Sequence, residues 1–140
     1  MRRRIFPDVV NGQDLVCLPS TSTARAAARL MAEKHVSSVL VTQNEQLAGI
    51  VTVRDIARKI VGEGRNADRT HLTDIMTPKP VCVDADDTPM TALRRMQEGG
   101  FRHLPVLKDG VLVGLSVRGD FNSEEVQCLE FEESLWQHMR

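Results

Sequence analysis

The hydrophobic and polar positions of this chain change period in the same order twice. A short apolar run, Leu15–Leu18, is followed by a polar turn, and then Ala24, Ala27, Ala28 and Met31 recur at three- to four-residue spacing. That spacing predicts a helix with one buried stripe, and Thr23 stands where its N-cap should be. Two short branched runs follow, Val39–Thr42 and Leu47–Val53, separated by Asn44-Glu45-Gln46, which predicts a hairpin. A second helix is expected from near Asp55 to about Val61. The order then repeats with Val81–Val83, a helix capped by Thr88 with Pro89 at its first position, and Met90, Leu93 and Met96 as its stripe. Leu104–Leu107, the turn Lys108-Asp109-Gly110 and Val111–Val117 make a second hairpin, with another helix expected from near Asp120.

The repetition survives a direct test. Sliding the sequence by 65 residues without gaps lays 16–56 over 81–121 with eleven identities, among them Val16/Val81, Cys17/Cys82, Thr23/Thr88, Gly49/Gly114 and Asp55/Asp120. Chance would give roughly three at average residue frequencies. The organisation expected is an N-terminal segment 1–14, a first repeat 15–61, a polar linker 62–71, a second repeat 72–122 and an acidic helix or tail 123–140. The fold class expected is α+β. A single unit of this size leaves one sheet face open, so two copies packed sheet to sheet would close a shared core. Val126, Leu129, Phe131, Leu135 and Met139 lie among the acidic residues of the tail, with Trp136 near its end, as in an amphipathic helix that docks on its own domain or on a partner.

Composition narrows the classes of function. The chain has 140 residues, 41% hydrophobic and 26% charged, with net charge −1, an ordinary globular balance. It has no Tyr and one Trp, which with the even charge argues against a nucleic-acid scaffold. MRRRIF is basic, but Pro7 and Asp8 interrupt it before an apolar core develops, so Arg2, Arg3 and Arg4 read as a solvated tail rather than a secretory signal. No run of about 18 apolar residues could cross a bilayer, and a cytoplasmic setting is expected. Cys17, Cys82 and Cys128 have no metal-ligand spacing and suit free thiols. The equivalence of Cys17 and Cys82 invites a redox switch; two buried thiols inherited by duplication are the simpler account.

Two places could carry chemistry. Gly49-Ile50-Val51-Thr52-Val53-Arg54-Asp55 runs from a strand into a helix, offering a hydroxyl at Thr52 and a carboxylate at Asp55. That carboxylate can cap the helix or accept two hydrogen bonds from a vicinal diol such as a ribose. Arg102 and His103 enter the other hairpin as a surface pair or as phosphate donors. Catalysis finds less support: there is no nucleophile elbow, HExxH or P-loop lysine, and His35, His71, His103 and His138 show no ligand pairing.

Together these motifs resemble the cystathionine-β-synthase (CBS) domain family, specifically a tandem pair forming a Bateman module. The residues that carry the resemblance are Asp74-Ile75-Met76-Thr77-Pro78, Pro80-Val81-Cys82-Val83, the helices from Thr23 and Thr88, Phe101–Val106, and the Gly49…Asp55 and Gly114…Asp120 endings. It spans residues 8–122. The resemblance implies duplicated β-α-β-β-α units packed with pseudo-twofold symmetry, usually as a homodimer. It implies clefts that bind AMP, ADP or ATP, ahead of S-adenosylmethionine or NAD, as a regulatory ligand read out by an unknown protein partner.

Carried onto this sequence, the first cleft would use Asp55 on the ribose, Thr52 near the phosphate, Arg102 and His103 on phosphate oxygens, and the Thr77–Val81 segment, Thr77 and Val81 included, beside the adenine. A second cleft would use Asp120 with Ser37 and Ser38, but Val117 stands at its hydroxyl position and Ser116 is displaced by one, onto the other face of the strand. The expected function is therefore a stand-alone, non-catalytic sensor with its working site in the first cleft. The alternatives are a protein-interaction module with empty clefts and its acidic tail as the binding element, and an enzyme acting on nucleotides.

Overall fold

The computed structural model describes residues 4–6 and 15–138, so the calls on Arg2, Arg3 and Met139 lie outside the described residues. The chain divides into two compact units, one of residues 15–80 and one of residues 81–140 joined by the N-terminal 1–14.

In the first unit the elements are β1 (Cys17–Pro19), α1 (Ala24–Lys34), β2 (Ser38–Gln43), β3 (Gln46–Thr52), α2, α3 (Leu72–Ile75) and β4 (Thr77–Pro78). Helix α2 starts as the single turn Val53–Asp55 and continues in wider π-helical winding over Ile56–Val61. The sheet order is β1-β2-β3-β4, with β1 parallel to β2 and the other pairs antiparallel. Thr23 caps α1 as expected, its hydroxyl accepting from the Ala26 N–H at 3.1 Å. The β2–β3 turn closes through Asn44 and Glu45, both at positive φ, the twist that suits a two-residue hairpin.

The second unit repeats this plan with β5 (Val83–Asp84), α4 (Pro89–Gly99), β6 (His103–Lys108), β7 (Val111–Val117), a 3₁₀ turn (Arg118–Asp120) and α5 (Ser123–His138). Its sheet order is β5-β6-β7. Correspondence extends to details no periodicity encodes: both hairpins slip register at equivalent points, between Val41 and Thr42 and between Val106 and Leu107. Here the expected second helix is broken. The chain leaves the 3₁₀ turn and starts α5 afresh, with Asn122 accepting from the Glu125 N–H at 2.9 Å while the Glu125 carboxylate accepts from the Asn122 N–H at 3.0 Å.

Each unit has its own cluster of buried apolar side chains. Ala24, Ala27, Met31, Val39, Val41, Val51, Ile60, Leu72 and Ile75 fill the first. Ile5, Val83, Ala92, Leu93, Met96, Leu104, Val106, Phe121 and Leu129 are among those that fill the second. The α1 and α4 stripes are thus core filler, and α5 docks on its own unit through Leu129 and Val126.

The lead-in segments cross over. Residues 72–80 open the stretch expected as the second repeat, yet they pack in the first unit: Leu72 N–H donates to Ser22 O (2.9 Å) and Thr73 N–H to Ser20 O (3.3 Å), and β4 pairs with Gly49 and Ile50. Ile5 and Phe6 do the same in the second unit, donating to Asp87 O and Ala85 O, each at 3.0 Å. Asp87 and Ala85 are the 65-residue equivalents of Ser22 and Ser20. The expected linker is also ordered, with Ala67 O accepting from Arg25 N–H and an Arg25–Asp68 ion pair holding it against the start of α1.

Candidate functional site

Asp55 is built into the end of β3 as a reciprocal cap. The Thr52 N–H donates to Asp55 Oδ2 at 2.9 Å, and the Thr52 hydroxyl lies 3.2 Å from the same oxygen while facing the Asp55 N–H at 3.3 Å. The other carboxylate oxygen, Oδ1, faces Lys59 Nζ at 3.4 Å, one helical turn on. The carboxylate is only 15% exposed. In this orientation Oδ1 keeps a lone pair, and Oδ2 regains one if the Thr52 hydroxyl turns to another acceptor.

Gly49 serves a close approach, and the approaching group is the chain itself. A Cβ there would lie 2.5 Å from Met76 Sδ and 2.9 Å from Thr77 O. Its lack of a side chain lets β4 lie against β3 and places Thr77, which is exposed, opposite Ile50. Ser38 sits opposite Thr52 in the β2–β3 register and is buried; Ser37 is exposed, and its carbonyl accepts from the Val53 N–H at 3.0 Å.

In the second unit the same frame carries different groups. Asp120 Oδ2 accepts from the Val117 N–H at 2.8 Å, matching the Thr52–Asp55 bond, but Val117 supplies no hydroxyl. His103 stands opposite Val117, and the Arg102 carbonyl accepts from the Arg118 N–H at 2.9 Å. Arg102 is exposed, His103 is partly buried, and Val81 is 50% exposed. Burial of the His103 imidazole, and secondarily the neighbouring Arg102 charge, hold its pKa below the ordinary histidine value. Ser116 is fully buried opposite Leu104, a core residue, and its hydroxyl has no partner. It occupies the place of Val51 in the first unit, on the strand face opposite to that of Val117. Burial raises the pKa of both Cys17 and Cys82, with the Arg95 charge acting more weakly in the opposite sense on Cys82.

The register thus brings Ser37 and Ser38 beside Thr52 and Asp55 in one unit, and Arg102 and His103 beside Val117 and Asp120 in the other. The residues read as the first cleft lie half in each unit. Lys59, which sequence reading passed over, was signalled by its i,i+4 spacing from Asp55. Among the described residues no group of three or more His, Cys, Asp or Glu side chains could hold a metal ion.

A family model described as the CBS domain matches residues 5–62 and 72–123. The chain belongs to the CBS domain family. It is 37% identical over 99 residues to the CBS domain-containing protein CBSCBSPB3 of Arabidopsis thaliana, a match that covers 70% of this chain and 18% of that protein. The chain spans between 12% and 18% of the length of the first curated relatives it matches. Among solved CBS structures, a putative signal-transduction protein with CBS domains from Burkholderia ambifaria is 35% identical, with 85% of each chain covered and a TM-score of 0.76. The CBS domain protein PAE2072 from Pyrobaculum aerophilum, complexed with AMP, is 26% identical, with 86% of this chain and 94% of that chain covered and a TM-score of 0.77.

Proposed function

We propose that this CBS pair binds an adenine nucleotide, AMP, ADP or ATP, as a regulatory ligand and passes the bound state to a protein partner without catalysing a reaction. The observation that supports this reading is the set around the Asp55 carboxylate, which meets the Thr52 hydroxyl and Lys59 at a helix start, whereas Val117 offers Asp120 no hydroxyl. The AMP complex of the Pyrobaculum relative supports the ligand class. In this reading Asp55 takes the ribose hydroxyls, the Thr52 hydroxyl turns toward the phosphate, Arg102 and His103 supply phosphate donors, and Thr77 to Val81 border the base. Binding as a homodimer and a cytoplasmic setting belong to the same reading; among the described residues no helix is long and apolar enough to cross a membrane.

Isothermal calorimetry with AMP, ATP and S-adenosylmethionine, on wild type and Asp55→Ala, tests it. The expected result is a nucleotide affinity that falls in the variant; unchanged affinity removes Asp55 from the site, and no heat with any ligand removes the reading.

One observation favours a second reading as an interaction module. Helix α5 is acidic, and Phe131 and Leu135, one turn apart, are both exposed. Phe131→Ser with Leu135→Ser would abolish partner capture under that reading. These positions are preferable to deletion of 123–140, because Leu129 on the same helix is buried in the core.

A further inference from the structure

Lys59 makes two contacts that no other residue of the first unit duplicates in the described structure. Its Nζ donates to the Ile75 carbonyl at 2.7 Å and faces Asp55 Oδ1 at 3.4 Å. One cation therefore joins the carboxylate at the end of β3 to the end of α3, immediately before the strand that carries Thr77. The Ile75 carbonyl lies in the last turn of a four-residue helix, where carbonyls have no partner within the helix. Lys59 satisfies that group and at the same time limits the rotation of Asp55.

The second repeat lacks this device. Sixty-five residues on, the position of Lys59 is held by Glu124, which lies in α5 beyond the break after Asp120. No ion pair to Asp120 occurs among those the described residues make, whereas the backbone cap on Asp120 is kept. The cap is thus common to both repeats, and the lysine bridge is specific to the one that also carries the Thr52 hydroxyl.

We propose that Lys59 is a positioning residue for nucleotide binding: it presents the Asp55 carboxylate to the ribose diol and anchors the 75–79 segment to that carboxylate. This rests on the reading of Asp55 as the ribose acceptor. Because Lys59 acts through Asp55, its contribution follows the ribose and is independent of the phosphate.

Lys59→Met keeps the apolar stem and removes the charge. Calorimetry of this variant with AMP, adenosine and 2′-deoxy-AMP separates the mechanisms. The expected result is a loss of about fivefold for AMP, the upper range for a partly exposed ion pair, an equal loss for adenosine, and a much smaller one for 2′-deoxy-AMP. In an Asp55→Ala background Lys59→Met should cause no further loss. A loss confined to AMP would make Lys59 a direct phosphate contact and overturn the proposal, as would unchanged affinity for all three.

Hydrogen exchange of the ligand-free protein supplies a readout that does not need nucleotide. The Lys79 amide, which donates to Ala48 O at 3.1 Å beside β4, should exchange faster in Lys59→Met. The Val41 amide, in the middle of the sheet, should not change. Equal exchange at Lys79 in wild type and variant would overturn the anchoring role. If wild type binds none of the three ligands, the nucleotide reading and the positioning role fail together, a result distinct from binding that is indifferent to Lys59.

Discussion

The two repeats share one frame and differ in what they hang on it. Each ends its second hairpin strand with an aspartate whose Oδ2 accepts from a backbone N–H three residues back, at 2.9 Å from Thr52 and 2.8 Å from Val117. A feature present in both copies at nearly the same length is a requirement of the fold. It closes the start of the following helical turn and satisfies an amide that would otherwise be unpaired. The carboxylate alone is therefore weak evidence for a ligand. The difference lies around it: a hydroxyl and a lysine accompany Asp55, whereas a valine and an interruption of the helix accompany Asp120.

The largest expected effect comes from splitting this pair. Asp55→Ala and Asp120→Ala should each cost about 1 kcal/mol of folding stability as lost caps. Only Asp55→Ala should weaken AMP, by roughly tenfold to a hundredfold, the range for hydrogen bonds to a charged acceptor. Equal effects on AMP from the two variants would erase the distinction between the repeats.

A second comparison concerns the frame. Thr23 and Thr88 accept from the Ala26 and Thr91 amides at 3.1 and 3.3 Å. Replacement of either by alanine should lower stability by about 1 kcal/mol in urea titrations. A cost confined to one repeat would show that their caps are not equivalent.

Ser116 gives a smaller effect of opposite sign. It is a buried hydroxyl without a partner at the position Val51 occupies in the first copy. Ser116→Ala should raise stability by up to about 1 kcal/mol, since an unsatisfied polar group is removed. Destabilisation of that size would mean the hydroxyl has a role in the core.

The smallest effect is a titration. Folding holds His103 below its ordinary pKa of 6.5, chiefly through burial, so the folded chain favours the neutral ring. Its contribution to stability is complete above pH 6.5 and is lost as pH falls below that value toward the folded pKa. Its counterpart Ser38 has no such dependence. A bound phosphate would favour the charged ring, so the His103 pKa read by NMR should rise when AMP is added. An unmoved pKa would separate His103 from the phosphate.

Most of the frame was legible because it is local. Caps at Thr23 and Thr88, the stripes of α1 and α4, and the alternating runs on either side of each turn depend on residues within one or two turns of each other. The crossing of 72–80 into the first unit, and of Ile5 and Phe6 into the second, was not legible. Those contacts run through backbone groups and two-residue strands, which have no side-chain period to read. Sequence adjacency suggested that the Thr77 segment serves the second repeat, while the pairing of β4 with Gly49 ties it to the first. In the candidate site, Asp55 and Thr52 were legible as a pair at a strand end. Lys59 was half legible: its i,i+4 spacing from Asp55 stands in the sequence, whereas its second contact, the Ile75 carbonyl, lies sixteen residues away.

The central claim is that a symmetric frame carries one asymmetric nucleotide site. Calorimetric titration of the chain with AMP at known protein concentration tests it most directly. The account predicts one AMP per chain, a stoichiometry that Asp120→Ala leaves unchanged. Two equivalent AMP molecules per chain, or none, would contradict it.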